Sequence, residues 1–472
     1  MSLEITEDWI ARQPPEAQGI IRLLLAQIAE LRAEVAALKA ELAQSRKTPE
    51  NSSLPPSTQH PHAKPPRKKS KSKRNRGGQP GHPKAERPLI PSADCAEIIP
   101  LKPDACRRCG TPLAGDDPDP LRHQVWELPV IQPVVTEYQR HRRICPGCGE
   151  STCAALPAGV PAGQSGPRLV AFVALLMAYF RQSKRRTAEF VSTVLNIPCS
   201  PALTVKHQTL ATLATRPAYE ALAASLPAEP WLNGDESPTK QATDKAWLWT
   251  FVARTFTVFA LRTTRAATVL TDLFGERYAG VMHCDRAKMY WQLGRLQWCW
   301  AHLKRDFQAL IDDADHQVKR LGHDLLRPTK ELFRHWSRCR DGTITRRGFE
   351  RLLPPIRNEI DGLLLRGVFS ENPRLIGMCR ELHDHREWLW TFLEVEGVEP
   401  TNNAAERALR HAVIWRKLSF GTQSASGSRF VETLLSVVTT CRQQHRDVLT
   451  FLTSAVTAHF DGQPHPSLLP EA

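Results

Sequence analysis

Residues 49–88 show no apolar periodicity and are rich in Pro, Ser and Lys, a composition that cannot bury enough surface to build a core. The stretch divides the chain into pieces that must fold separately. The length of 472 residues agrees, because single cores stop growing near ~250 to 300 residues. Eight of the thirteen residues from 64 to 76 are Lys or Arg, and none is acidic. Lys64, Arg67, Lys68, Lys69, Lys71, Lys73, Arg74 and Arg76 therefore suit phosphate neutralisation by counterion release, with a solvated tail as the plainer alternative. The whole chain has the same sign, 63 Lys plus Arg against 49 Asp plus Glu, and this excess of +14 favours nucleic acid ahead of membrane.

The N-terminus, MSLEITEDWIARQ, is acidic where a secretion signal would be basic and then apolar, so a cytoplasmic protein is expected. The longest apolar run, residues 169–180, is shorter than the ~20 residues that cross a bilayer and reads as a buried helix. In a reducing compartment the twelve cysteines are metal ligands before they are disulfides.

Ahead of the basic linker, Ile21, Leu24, Ile28, Leu31, Val35, Leu38 and Leu42 recur at alternating steps of three and four. Ile or Val at a with Leu at d favours two parallel strands, and Glu34 and Glu41 at g face Lys39 and Arg46 at e of a second copy. Residues 17–47 are thus a candidate dimerisation arm, although one amphipathic helix packed on its own domain has the same pattern. Residues 48–90 are the linker. Residues 91–160 hold Cys106-Arg-Arg-Cys109-Gly and Cys145-Pro-Gly-Cys148-Gly, two CxxC turns that can supply four thiolates to one structural Zn²⁺. The pieces HQVWELPV and VVTEYQRH between them are expected to form a hairpin, and Cys95 and Cys153 are substitute ligands. A redox dithiol or buried cysteines are the other readings. Residues 161–228 are helical, and RRTAEFVSTVLNIPCSPALTVKHQTL reads as helix, turn at 196–200 and helix, resembling a helix-turn-helix.

After Pro230 the period becomes that of strands: PWLNGD, the hairpin KAWLWTFVAR and FTVFALR, a helical ATVLTDLFG, and GVMHCD. Asp235 is expected to close the first strand and Asp285 the fourth, where ligands of open α/β sheets collect. Two strand-end acids alone prove little.

The phrases GDESPTK, HCDRAKMYW, WCWAHLKRDF and PTNNAAERALRHAVIWRKLSFGTQSASGSRF together resemble the transposases of bacterial insertion sequence sixty-six. The likeness takes in the heptads, NSSLPPS at Asn51, GGQPGH at Gly77 and the cysteine turns. It departs where Thr401 stands in place of the Asp often found before the Asn pair, and where the second motif reads Asp285-Arg-Ala in place of DGY. The resemblance implies a multidomain α+β chain with a ribonuclease H-like α/β catalytic core. It also implies a DDE triad of Asp235, Asp285 and Glu406 holding two Mg²⁺ ions, which cleaves transposon-end DNA and transfers it to target DNA. On this reading the core spans 229–306 and 397–460, with a helical insertion at 307–396 that packs against the core or clamps DNA. Arg407 and Arg410, on the helix of Glu406, are candidates for DNA phosphate, or for surface ion pairs with Glu406. Cys299 and His302 match a family motif near the active site and are read as structural or DNA-positioning, since two ligands do not make a zinc site. The expected partners are double-stranded DNA in terminal repeats and target, a second or further copy, and accessory proteins of the element, at the bacterial nucleoid and with no membrane. The rivals are a non-catalytic, domesticated DNA-binding protein and a zinc hydrolase built on His302.

Overall fold

The computed structural model describes residues 6–45, 51 and 87–469. The basic run 64–76 lies outside them, as do Arg46 and the side chains of Lys39, Glu41 and Leu42. The chain forms two compact units, Pro61–Val134 and the remainder, Met1–His60 with Val135–Ala472. In the smaller unit a 3₁₀ turn, Ser92–Asp94, precedes the first cysteine turn, which is closed by a bridge between Ala105 and Pro112. Gln124 pins this unit's start, accepting from Ile90 N–H at 3.0 Å and donating to Ile90 O at 2.9 Å.

The larger unit begins with α1, Glu7–Ala11, and α2, Pro15–Ser45. Leu24, Ile28, Leu31, Val35 and Leu38 of the heptad seam are 44–59% exposed, so α2 does not bury that stripe on its own domain. The hairpin expected between the cysteine turns does not form: 123–141 contains no strand. Val125, Leu128, Val130, Val134 and Val135 are exposed, so alternation had no second layer to bury against. The strands are instead β1, Arg142–Ile144, and β2, Ser151–Cys153, paired antiparallel around the second cysteine turn.

Next come α3, Pro167–Ala178, α4, Lys184–Val194, and α5, Pro201–Ser225. The apolar run at 169–180 makes α3 a buried helix, with every residue from Val173 to Ala178 in the core. Ser183 and Ser200 cap α4 and α5, accepting from Arg186 and Leu203 N–H, and Asn196 turns the chain between them at φ +54°.

The central sheet has the order β5-β4-β3-β6-β7. Its strands are β3, Trp231–Gln241, β4, Asp244–Val252, β5, Thr257–Arg262, β6, Val281–Cys284, and β7, Leu296–Trp298, with α6, Thr268–Phe274, between β5 and β6. The first three pair antiparallel, and β6 and β7 join parallel to β3. Asp235 does not close its strand. β4 extends the pairing from Asn233↔Val252 to Gln241↔Asp244, whereas β6 stops at Asn233↔His283, so Asp235 is mid-strand where β3 becomes an open edge. That edge tolerates Pro238, which has no N–H to donate.

After β7 the chain is helical: α7, Trp300–Ile311, α8, His316–Arg340, α9, Arg346–Val368, α10, Pro373–Asp384, and α11, Glu387–Glu394. It returns as α12, Asn403–Ser419, α13, Ala425–Gln443, and α14, Val448–Asp461. The result is a mixed α+β fold in which helices flank a β-sheet core, the arrangement expected of a ribonuclease H-like domain.

Candidate functional site

The parallel register decides where the first two acids meet. Asn233 of β3 pairs with His283 of β6, and two residues further along each strand stand Asp235 and Asp285. Side chains two apart share a face, so Asp235, within β3, and Asp285, just past the end of β6, come side by side. Asp235 Oδ1 accepts from Glu236 N–H at 2.9 Å, and Asp285 Oδ1 from Ala287 N–H at 2.8 Å. Burial, together with the charges of Glu236 and Asp285, pushes the Asp235 carboxyl well above the usual range.

Glu236 was not singled out from sequence, though it stands in the GDESP phrase. Its side chain is buried, accepts from Tyr290 Oη at 2.7 Å and from Arg265 Nε at 2.8 Å, and its carboxyl is raised by burial and by Asp285. Gly234 before Asp235 has no room for a side chain, since a Cβ would stand 2.7 Å from Met282 Sδ.

Glu406 lies in the first turn of α12. Its Oε1 is 3.7 Å from His302 Nδ1 and its Oε2 is 3.9 Å from an Arg305 guanidinium nitrogen. Arg407 and Arg410 are exposed, and Glu406 pairs with neither. Cys299, buried at the start of α7, accepts from Asn402 N–H through its sulfur at 3.1 Å. Asn402 also donates its side-chain amide to Gly234 O at 2.7 Å, tying the head of α12 to β3 and α7 at once. Among the described residues, Cys299, His302 and Glu406 are a group of three whose ligand atoms lie within 4.8 Å of one another and could hold a metal ion. Asp235 and Asp285 are outside that group. Sequence spacing gave Cys299 and His302 no third ligand because Glu406 arrives from far along the chain.

Burial opposes charge on His302, but a hydrogen bond to Cys299 and the charges of Cys299, Asp285 and Glu406 outweigh it, raising the imidazole to about 9. His302 Nδ1 and Glu406 Oε1 are both buried and without a hydrogen-bond partner among the described residues. Orphaned buried polar atoms are costly. Of the two, Glu406 Oε1 is the acceptor, and a cation would supply its missing partner.

The two cysteine turns fall in different units. They share one geometry: Cys106 N–H donates to Thr111 O and Gly110 N–H to Cys106 O, while Cys145 N–H donates to Glu150 O and Gly149 N–H to Cys145 O. Gly110 and Gly149 both take φ +75°, a conformation that glycine permits. Hydrogen bonds from Thr111 and then Cys106 bring the Cys109 thiol down to about 7, and backbone N–H groups of Cys148 and Gly147 lower that of Cys145. Both turns therefore favour thiolate.

A sequence model described as the transposase IS66 family matches residues 162–429. One described as a family of unknown function (DUF6444) matches residues 7–88. An uncharacterized protein, y4qI, of Sinorhizobium fredii (strain NBRC 101917 / NGR234) is 25% identical over 260 residues. The matched segment is 48% of this chain and 46% of that protein, so the chain spans about half the length of the curated relative it matches.

Proposed function

This chain belongs to the IS66 family of transposases, and we propose that it is a DDE transposase that cleaves transposon-end DNA and joins it to target DNA, with Asp235, Asp285 and Glu406 as the acting acids. One observation supports the reading: the register puts Asp235, mid-strand in β3, beside Asp285, just past the end of β6, and burial together with the charges of Glu236 and Asp285 raises the Asp235 carboxyl. A cation would relieve this repulsion and let the acids ionise. Two Mg²⁺ ions held by these three acids would activate water and stabilise the leaving 3′ oxygen. The protein's own part is positional: Asn402 fixes α12 to β3, Tyr290 and Arg265 hold Glu236, and His302 with Arg305 faces Glu406. In the same reading the basic run 64–76, with Arg407 and Arg410, neutralises DNA phosphate, α4 and α5 form a DNA-binding pair, and α2 pairs two chains. The spacing of Cys106, Cys109, Cys145 and Cys148 proposes one structural Zn²⁺, and the low thiol of Cys109 suits it.

The test is a gel assay on labelled DNA carrying the element's ends, in Mg²⁺ and in chelator. Asp235→Ala, Asp285→Ala and Glu406→Ala should each abolish nicking and strand transfer and leave DNA binding intact; cleavage surviving all three removes the DDE reading. Neutralising the basic residues of 64–76 should instead weaken binding and flatten its salt dependence. A second reading, one ion on Cys299, His302 and Glu406, is favoured by their mutual 4.8 Å reach. Thiolate and imidazole favour zinc over Mg²⁺. Loss of bound zinc and of cleavage together in Cys299→Ser would select it.

A further inference from the structure

Beside the acids, on the same face of β3 and β6, lies a cavity of about 520 Å³, of whose lining the DDE reading uses only Arg407. Trp231 and Asn233 of β3 and His283 of β6 line it. Asp235 and Asp285 are two residues beyond Asn233 and His283 on that face, about 7 Å along each strand. Ala404, Arg407, Ala408 and His411 line it from α12. That is an i, i+3, i+4, i+7 stripe, so one helix presents Glu406 to the acids and its neighbouring stripe to the cavity.

The lining has a definite chemistry. Arg181, Arg254, Arg407 and Arg442 all contribute, against Glu399 as the acidic lining residue. None of these four arginines makes an ion pair with a described residue. Their positions are nevertheless ordered. Arg181 meets His411 Nδ1 at 3.4 Å, and Arg442 donates to Tyr179 Oη with its guanidinium 4.8 Å from that ring. Tyr179 and Trp231 supply aromatic walls. Deeper in, His283 is 2% exposed, and its Nε2 has no hydrogen-bond partner among the described residues. It is an unpaired polar group built into the wall.

We infer that this cavity receives one nucleotide of the DNA strand next to the cleaved phosphodiester, its phosphate on the arginines and its base between Trp231 and Tyr179 with an edge toward His283. The volume lies within the ~300 to 1,000 Å³ of small-ligand sites. Guanidinium forks suit phosphate, and aromatic faces accept any base. The inference rests on the DDE reading, because only that reading brings a DNA strand to these acids.

Full-length protein in chelator is titrated calorimetrically with deoxyadenosine monophosphate and, separately, with inorganic phosphate. The nucleotide should bind, and more tightly than phosphate. The double variant Arg181→Gln, Arg442→Gln should weaken it about tenfold or more. Ala404→Leu, which keeps every arginine and fills space, should weaken the nucleotide far more than phosphate and keeps the test decisive if the double variant does not fold. Phosphate binding as tightly as the nucleotide, or nucleotide binding unchanged in folded Ala404→Leu, overturns the inference. Asp235→Ala separates the two proposals: it should still bind the nucleotide. Mg²⁺-dependent nicking by a parent protein that does not bind the nucleotide sinks the cavity alone, whereas nucleotide binding without nicking sinks the DDE reading.

Discussion

Replacing Ser436 by Ala should destabilise the sheet that carries the acids without touching the acids themselves. β5 is the edge strand of that sheet, and its N–H groups at Thr257, Phe259 and Leu261 are buried under α13. They donate to Thr440 Oγ1 at 3.1 Å, Ser436 Oγ at 2.8 Å and Glu432 Oε2 at 3.0 Å. The match is geometric: four residues of helix rise ~6 Å, and two residues of strand ~6.7 Å, so one helix face satisfies every second N–H. Ser436 and Phe259 are both 0% exposed. The alanine therefore leaves a buried donor unpaired, which costs ~1 to 3 kcal/mol. Urea unfolding should show a loss of that size, amide exchange at Phe259 should accelerate, and Ser436→Thr should recover most of it. Cleavage per folded molecule should not change. A loss under ~0.5 kcal/mol with Phe259 exchange unaltered would refute the ladder as the edge's protection.

Burial and the charge of His302 hold His283 down at about 3 against an ordinary 6.5. A histidine with a depressed folded value contributes stability above 6.5 that is lost as pH falls toward 3. Subtracting the stability of His283→Gln from the parent's should expose this loss, at up to ~1.4 kcal/mol per pH unit, and a flat difference would contradict it. Elemental analysis should find about one zinc per chain beyond any at the catalytic acids; zinc unchanged in Cys145→Ser would move the ligand to Cys153 or a histidine. Leu31→Lys with Leu38→Lys should reduce self-association, because both sit in the exposed stripe of α2. Equal sedimentation mass before and after would remove the arm as the dimer contact.

The elements that show most clearly in the sequence are those with strong periods. Apolar residues at 169–180 gave the buried α3, and the strand period after Pro230 gave the sheet. What sequence missed arises from partners distant in the chain. The end of β3 was misplaced at Asp235 because the polar run ESPTKQ gives no apolar signal, while β4 supplies the pairing that extends it. Glu236 was overlooked because its importance depends on Tyr290 and Arg265, and Cys299 with His302 lacked a third ligand until α12 brought Glu406 to them. The alternating residues at 123–141 misled in the other direction, since alternation describes a strand only where another layer covers one face.

The long helical excursion between the second and third acids leaves and re-enters the core at one place. It departs just after β7, where Trp300 N–H donates to Pro400 O at 2.9 Å, and Asn402 N–H then meets Cys299 Sγ at 3.1 Å. With the two ends of the excursion clamped together, Glu406 is held from within that clamp, by Asn402 through Gly234 and by His302 and Arg305 of α7. Yet the excursion is not independent of the second acid. Arg286, next to Asp285, donates at 2.9 Å to both Asp306 of α7 and Glu381 of α10. Arg286 stands in the Asp285-Arg-Ala stretch where the second motif departs from DGY, and as the acid's neighbour it holds the insertion. A displacement of α10 would therefore act through Arg286 on the neighbouring Asp285 and, through Asp306, on α7, the helix whose His302 and Arg305 face Glu406.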